Sequence, residues 1–346
     1  MNNPVKMADE MQSSSRILVA AEGGLGLRSV ARYAMLLGAP GASLKLVAIT
    51  GNPRTLFPWI ALSQTEWNDA HQSVVASSCM AINKAAQQLR GRSGFAEPQV
   101  LDLSERHVTA AVAVGDLARQ WQANLIAITG FSRDSHGGGA WRLDPEELAA
   151  VVSCPVLHVP FACLEDGGLS LSKVMVAIDG SESAMEALRL AIARLPLEAR
   201  LHVVYVIDHA LGLRYADRIQ ASMKEGVDVL ARASELLEQH AREGETSLIG
   251  TSAQAPSVSE AILHEADRWG AHLVVMGSRG RGALTRWLLG TVAERILRHS
   301  TRPVLVCPPS RAAVNGTEAG AGMRETLAAE MNEAMGSGAI LPPIFL

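Results

Sequence analysis

The residues whose types and spacing could do the most chemistry are Gly277, Ser278, Arg279 and Gly280, followed after nine residues by Gly290 and Thr291. Glycines just past a strand end let backbone N–H groups approach a ligand closely. A Gly-Thr pair opening a helix offers further free amides, with the helix dipole behind them. Such a spacing predicts a cradle for phosphate oxygens. Its flanks suit that role: residues 272–276 read as a buried parallel strand and residues 292–297 as a helix. Arg279, Arg281 and Arg286 lie in or just after the loop, where a guanidinium could neutralise phosphate charge.

Other chemistries find little support in the spacing. The ten histidines form no His-x-x-x-His pair and lie near no Cys or carboxylate in a ligand pattern. No Ser-His-Asp or Cys-His arrangement can be argued from position. The four cysteines, Cys79, Cys154, Cys163 and Cys307, are scattered without a Cys-x-x-Cys pair, so buried thiols in a reducing compartment are expected rather than a disulfide framework. Gly24-Leu25-Gly26-Leu27-Arg28-Ser29 resembles a dinucleotide fingerprint, but Ser29 replaces its third glycine and the next strand ends at Thr50 with no acid.

The elements that must position the cradle belong to a duplication. Arg16-Ile17-Leu18-Val19-Ala20-Ala21-Glu22-Gly23 lines up with Lys173-Val174-Met175-Val176-Ala177-Ile178-Asp179-Gly180. Residues 42–50 match 199–207, 121–126 match 269–274, and 154–159 match 302–307, all in the same order. The chain therefore divides into a tail (1–15), a first repeat (16–160), a linker (161–172), a second repeat (173–309) and a C-terminal tail (310–346). In the second repeat, strands are predicted over 173–178, 201–207, 247–252, 273–276 and 304–307. Helices are predicted after a capping box at Ser183-Ala184-Met185-Glu186, then over 216–243, 257–268 and 292–299. Met185, Leu188, Ile192 and Leu195 form the apolar stripe of the first of these. Strands alternating with helices give an α/β class: two tandem, doubly wound, Rossmann-like open sheets of five parallel strands. In the C-terminal tail, Met323, Leu327, Met331 and Met335 predict one helix.

On these residues the second repeat resembles the universal stress protein family, whose ATP-binding members carry Gly-x-x-Gly, nine residues, then Gly-Ser or Gly-Thr. Gly277, Gly280, Gly290 and Thr291 match without a gap. Asp179 with Ser181 matches the family's strand-one Asp and following Ser, and Pro303 to Val306 matches its closing strand. The resemblance implies an adenine nucleotide alpha hydrolase-like fold with ATP, alone or with Mg²⁺, across the strand ends. It places Asp179 near adenine or ribose, Val206 beside the base, and Gly277, Arg279, Gly280, Gly290 and Thr291 around the phosphates, with Ser181 and Met276 as further nucleotide-binding residues. It further implies a cytoplasmic, stress-linked regulatory or sensing protein with an unidentified protein partner. An internal pseudo-dimer through the last strand of each repeat is expected, with a homodimer left open.

Two function classes stay open beside that one. A nucleotide-hydrolysing or nucleotidyl-transferring enzyme would need a positioned base and carboxylates for Mg²⁺, of which Asp179 is the candidate; slow hydrolysis at most is expected. A scaffold that binds no nucleotide would leave the motif unused. The first repeat departs from the pattern: Glu22 stands for Asp179, Gly24 for Ser181, and Asp144-Pro145 for Gly290-Thr291, while either Thr129 or Gly130 stands for Gly277. Asp144 at a helix start, with Glu146 and Glu147 behind it, predicts repulsion of an anion there. One nucleotide per chain is the expectation. Net charge of −4 over 346 residues does not favour nucleic acid or anionic lipid as partners, and no apolar run nears the roughly 20 residues that span a bilayer. Residues 1–15 are polar, without the apolar core of a signal segment.

Overall fold

The computed structural model describes residues 15–39, 41–56, 61–90, 95–106, 108–129, 142–164, 171–209, 216–280 and 289–309. The expected tail helix, Arg281, Arg286 and residues 130–133 lie outside them. In the first repeat β1 (Arg16–Glu22) leads to α1 (Leu27–Leu37), β2 (Ser43–Thr50) and, after one helical turn at Pro53–Leu56, to α2 (Gln64–Leu89). Then come β3 (Phe95–Asp102), α3 (Ala110–Gln120), β4 (Leu125–Thr129), α4 (Pro145–Val151) and β5 (Val156–His158). A 3₁₀ turn, Phe161–Cys163, precedes the second repeat. That repeat runs β6 (Lys173–Ala177), α5 (Glu182–Arg194), β7 (Arg200–Ile207), α6 (Ala216–Gln239), β8 (Gly244–Gly250), α7 (Val258–Trp269), β9 (Leu273–Gly277), α8 (Thr291–His299) and β10 (Val304–Cys307).

The two five-stranded sheets are continuous with each other. Strand order is β3-β2-β1-β4-β5-β10-β9-β6-β7-β8, parallel within each half, with β5 and β10 antiparallel where the halves meet. Val304 pairs with His158 and Val306 with Val156 there. Each last strand is an apolar edge, and pairing the two edges satisfies backbone groups that would otherwise be exposed. Alternation along the strands fills both faces, as a parallel sheet requires. Ile17, Val19, Val174 and Val176 pack under α1, α2, α5 and α6. Leu18, Ala20, Met175 and Ala177 pack under α3, α4, α7 and α8.

Two element boundaries differ from expectation for visible reasons. The predicted capping box at Ser183 is not the start of α5: Ser181 caps the helix, its hydroxyl accepting from Ala184 N–H, and Ser183 lies inside the first turn. The helix α6 stops at Gln239 rather than 243, because Ala241 turns to φ 49° and Arg242 N–H closes onto the Leu237 carbonyl at 2.9 Å. That early exit lets β8 begin at Gly244, ahead of the expected 247. A Cβ on Gly244 would stand 2.9 Å from the Leu201 carbonyl oxygen, so only glycine allows this entry into the sheet.

Candidate functional site

A cavity of about 460 Å³ opens at the C-terminal ends of β6, β7 and β9. Open parallel sheets offer ligands a crevice here, where the strand order reverses. Asp179, Val206, Met276, Gly277, Arg279, Gly280, Gly290 and Thr291 all line it; of the expected site residues Ser181 does not. Val258 and Ile262 of α7 supply a further apolar wall. Their i, i+4 spacing was legible as a helix stripe, but nothing in sequence said which end of the sheet it would face.

The crevice exists because a ladder stops early. Ile178 N–H donates to the Val204 carbonyl at 2.9 Å, and beyond that the described residues offer Val206 no backbone partner toward β6. Val206 is half-buried there, with its amide and carbonyl edge turned to the opening. Asp179 does not cap α5 either. Its Oδ1 accepts from Ser181 N–H at 2.9 Å, a side-chain turn that holds the carboxylate beside the loop.

The three loop glycines are there for different reasons. A Cβ on Gly277 would stand 2.5 Å from Ser183 Oγ and 2.6 Å from Ala184 N, so the fold itself requires glycine. On Gly280 it would meet Asp179 Oδ2 at 2.8 Å, a contact that the movable carboxylate end decides. On Gly290 the nearest atoms would be at 3.4 Å, ordinary contact, and φ is −67°. Packing does not demand glycine at Gly290; an approaching ligand would. Loop geometry is fixed from below: Ser278 N–H donates to the Cys307 carbonyl at 2.7 Å, and Gly290 N–H to the Ser278 carbonyl at 2.8 Å. The Cys307 thiol is fully buried and its pKa is pushed up by that burial, so it is an inert filler. Helix α8 starts at Gly290 with no side chain on its first amides.

At the corresponding place in the first repeat, the described residues satisfy their backbone groups among themselves. Its ladder runs on, Gly23 N–H reaching the Ile49 carbonyl at 2.8 Å, where Gly180 and Val206 have no such bond. Glu22 folds inward and accepts from Leu143 N–H at 2.9 Å. It is 4% exposed with Oε2 unpartnered; burial raises its pKa, against the Leu143 N–H and Arg142, which lower it. Asp144 caps α4, accepting from Glu146 and Glu147 N–H at 2.9 and 3.3 Å. Both glutamates are engaged as well: Glu147 accepts from Thr109 Oγ1 at 2.5 Å, and Glu146 takes a two-pronged contact from Arg298 of α8 at 3.0 and 2.7 Å. Register also decides the open alignment. Ala20 pairs with Ile128 as Ala177 pairs with Met276, so Thr129, one residue on, stands where Gly277 does.

One cluster escaped the sequence entirely. His71 Nε2 meets Asp102 Oδ2 at 2.8 Å and Ser104 Oγ at 3.2 Å, with Trp67 stacked on the imidazole at 5.0 Å. Acid and hydroxyl share one ring nitrogen, so Nε2 carries its proton toward Asp102 and has no lone pair for Ser104. A nucleophile relay needs them on opposite nitrogens. The cluster ties α2 to the end of β3. Among the described residues no group of three or more His, Cys, Asp or Glu could hold a metal ion, and no helix is long and apolar enough to cross a membrane.

Residues 171–308 match the model of the universal stress protein family. Universal stress protein MJ0531 of Methanocaldococcus jannaschii is 30% identical over 150 residues, covering 41% of this chain and 85% of that protein. Universal stress protein YxiE of Bacillus subtilis is 30% identical over 154 residues, covering 39% of this chain and 97% of that one. Over most of the length, 86% of this chain and 100% of the other, the fold is similar to the crystal structure of a universal stress protein from Archaeoglobus fulgidus, with a TM-score of 0.55 at 16% identity.

Proposed function

This chain belongs to the universal stress protein family, and from that premise we propose that its second repeat binds ATP or a close adenine nucleotide as a regulatory ligand. The contrast in helix starts carries the reading. Asp144 fills the amides of α4, whereas α8 opens on bare Gly290 at the lip of the cavity. Phosphates would take the Gly280 amide and the first amides of α8 beyond Gly290, with the Thr291 hydroxyl and Arg279 beside them, since the Ser278 and Gly290 amides already serve the Cys307 and Ser278 carbonyls. The base would lie between Val206, Met276, Val258 and Ile262, with the free backbone edge of Val206 facing its polar rim. Asp179 stands on the ribose side.

The donor set suits holding a nucleotide better than turning it over. Asp179 is the carboxylate on the cavity wall among the described residues, and efficient phosphoryl transfer needs a base and further metal-holding groups. Mg²⁺ would arrive with the triphosphate. The two repeats act as a tandem internal pseudo-dimer joined through β5 and β10, the first a degenerate partner of the second. In this reading the protein works in the cytoplasm and passes its nucleotide state to a protein partner.

Titration calorimetry with ATP tests the site. Gly290→Leu should abolish measurable binding while leaving the melting temperature within a few degrees; equal affinity in both proteins would remove the cradle from this loop.

A further inference from the structure

Two hydroxyls at the start of α5 converge on one carbonyl. Ser183 Oγ donates to the Arg279 oxygen at 2.6 Å, and Ser181 Oγ donates to the same oxygen at 3.1 Å. A carbonyl has two lone pairs and can accept both. Ser183 is 3% exposed and lines no part of the cavity, so it does not touch a ligand there. Its effect is on the peptide between Arg279 and Gly280. In a trans peptide the C=O and the following N–H point in opposite directions. With the Arg279 oxygen held against α5, the Gly280 N–H is turned the other way. That side is the one Gly290 leaves open: a Cβ on Gly290 would stand 3.5 Å from Gly280 N. No backbone acceptor among the described residues meets this N–H.

We propose that Ser183, seconded by Ser181, is the positioning residue of the cradle, its hydroxyl setting the 279–280 peptide so that Gly280 N–H is presented to an anionic group of the ligand. The proposal rests on the nucleotide reading above. It also reassigns Ser181, which the motif suggested as a ligand contact, to capping α5 and steadying the loop. The first repeat supplies an internal control. Gly24 and Gly26 stand where Ser181 and Ser183 do, so both hydroxyls are missing from the half whose helix start is stoppered. The space of the second is taken by the linker, since a Cβ on Gly26 would stand 2.5 Å from Leu164 Cδ1, and a Cβ on Gly24 would meet Ala81 Cβ at 3.1 Å. Gly277 completes the device, since any side chain on it would displace the Ser183 hydroxyl.

The test is calorimetry on the full chain with two probes, ATP and adenosine. Ser183→Ala should weaken ATP about tenfold, as losing one hydrogen bond to a charged group does, and adenosine by less than about twofold. A hydroxyl that only stabilised the fold would weaken both alike, and that result overturns the proposal. So does an unchanged ATP affinity in Ser183→Ala when the wild type binds. A wild type that binds neither probe overturns the nucleotide reading, and this proposal with it. If Ser183→Ala fails to fold, Ser183→Cys keeps a weak donor of similar shape; a smaller loss confined to ATP is then expected, and equal losses for both probes count against the proposal.

Discussion

The two repeats present the same ends of corresponding strands, and among the described residues a cavity opens at those of the second. The difference is one of which groups satisfy the exposed backbone. In the first repeat protein atoms do it: Gly23 meets Ile49, Glu22 meets Leu143, and Asp144 covers the amides of α4. In the second repeat Gly180 does not reach Val206, Asp179 turns to Ser181 instead, and no side chain caps α8 among the described residues. Closure therefore needed no change of fold. It needed an acid at one helix start, a longer side chain on β1, and two more residues of ladder.

The steric difference can be broken first, and should give the largest effect. Gly277→Thr copies Thr129 into the open half and drives a side chain into Ser183 and Ala184; about 4 kcal/mol of stability should be lost. Adding Ser183→Gly, which copies Gly26, removes the clash with Oγ but not those with Ala184 N and the Ser183 carbonyl carbon, so it should recover a minor part of the melting temperature and none of the ATP binding. Additive losses in the double variant would mean that the two positions do not compensate each other.

His158 is the next lever. It stands on β5 where the second repeat has Val306, it is 7% exposed, and Asp144 is the charged group near it. Burial lowers its pKa to about 4, more than Asp144 raises it. A depressed folded pKa means that stability is full above about 6.5 and is lost as pH falls toward 4, because the unfolded chain binds the proton first. The loss should be on the order of 3 kcal/mol by pH 4. His158→Val should flatten that limb of the denaturation midpoint against pH; an unchanged slope would show that the imidazole titrates freely.

Gly290→Leu should then cost at least about a hundredfold in ATP affinity, or about 2.7 kcal/mol, with little change in stability, whereas a cap change in the other half should do the reverse. Asp144→Ala should destabilise by about 1 kcal/mol and create no second site, since Glu22 and the extended β1–β2 ladder still close the crevice. Calorimetric stoichiometry should stay at one nucleotide per chain. A rise to two would mean that the cap alone had excluded the ligand.

The fold class and the cradle were readable because local patterns carry them. Alternating apolar strands, the repeated landmarks and the Gly-x-x-Gly spacing all lie within short windows. What could not be read depended on distant partners. Ser183 with Glu186 satisfied the capping-box pattern, yet the hydroxyl is taken by a carbonyl 96 residues away, and Ser181 caps instead. The joining of the two sheets through β5 and β10 lies in no window of sequence, and only the family resemblance pointed to those edges. His71, Asp102 and Ser104 come from a helix and the end of a strand 31 residues apart, and only the packing of α2 on β3 brings them together. The functions of the three glycines also separate only in three dimensions, since each looks alike in the motif.

The antiparallel seam between β5 and β10 has a consequence for how the halves can change over time. Because a short connection ties them, each half meets its partner edge at an effective concentration of the order of millimolar, whatever the level of the protein in the cell. The docking edge never has to find a second chain. If the proposed reading holds, the first half need keep only that edge and its core, and its strand ends are free to differ from those of the second. A homodimer built from identical chains has no such freedom, since every substitution strikes both crevices at once. Covalent tethering thus lets the two crevices differ while the seam is kept.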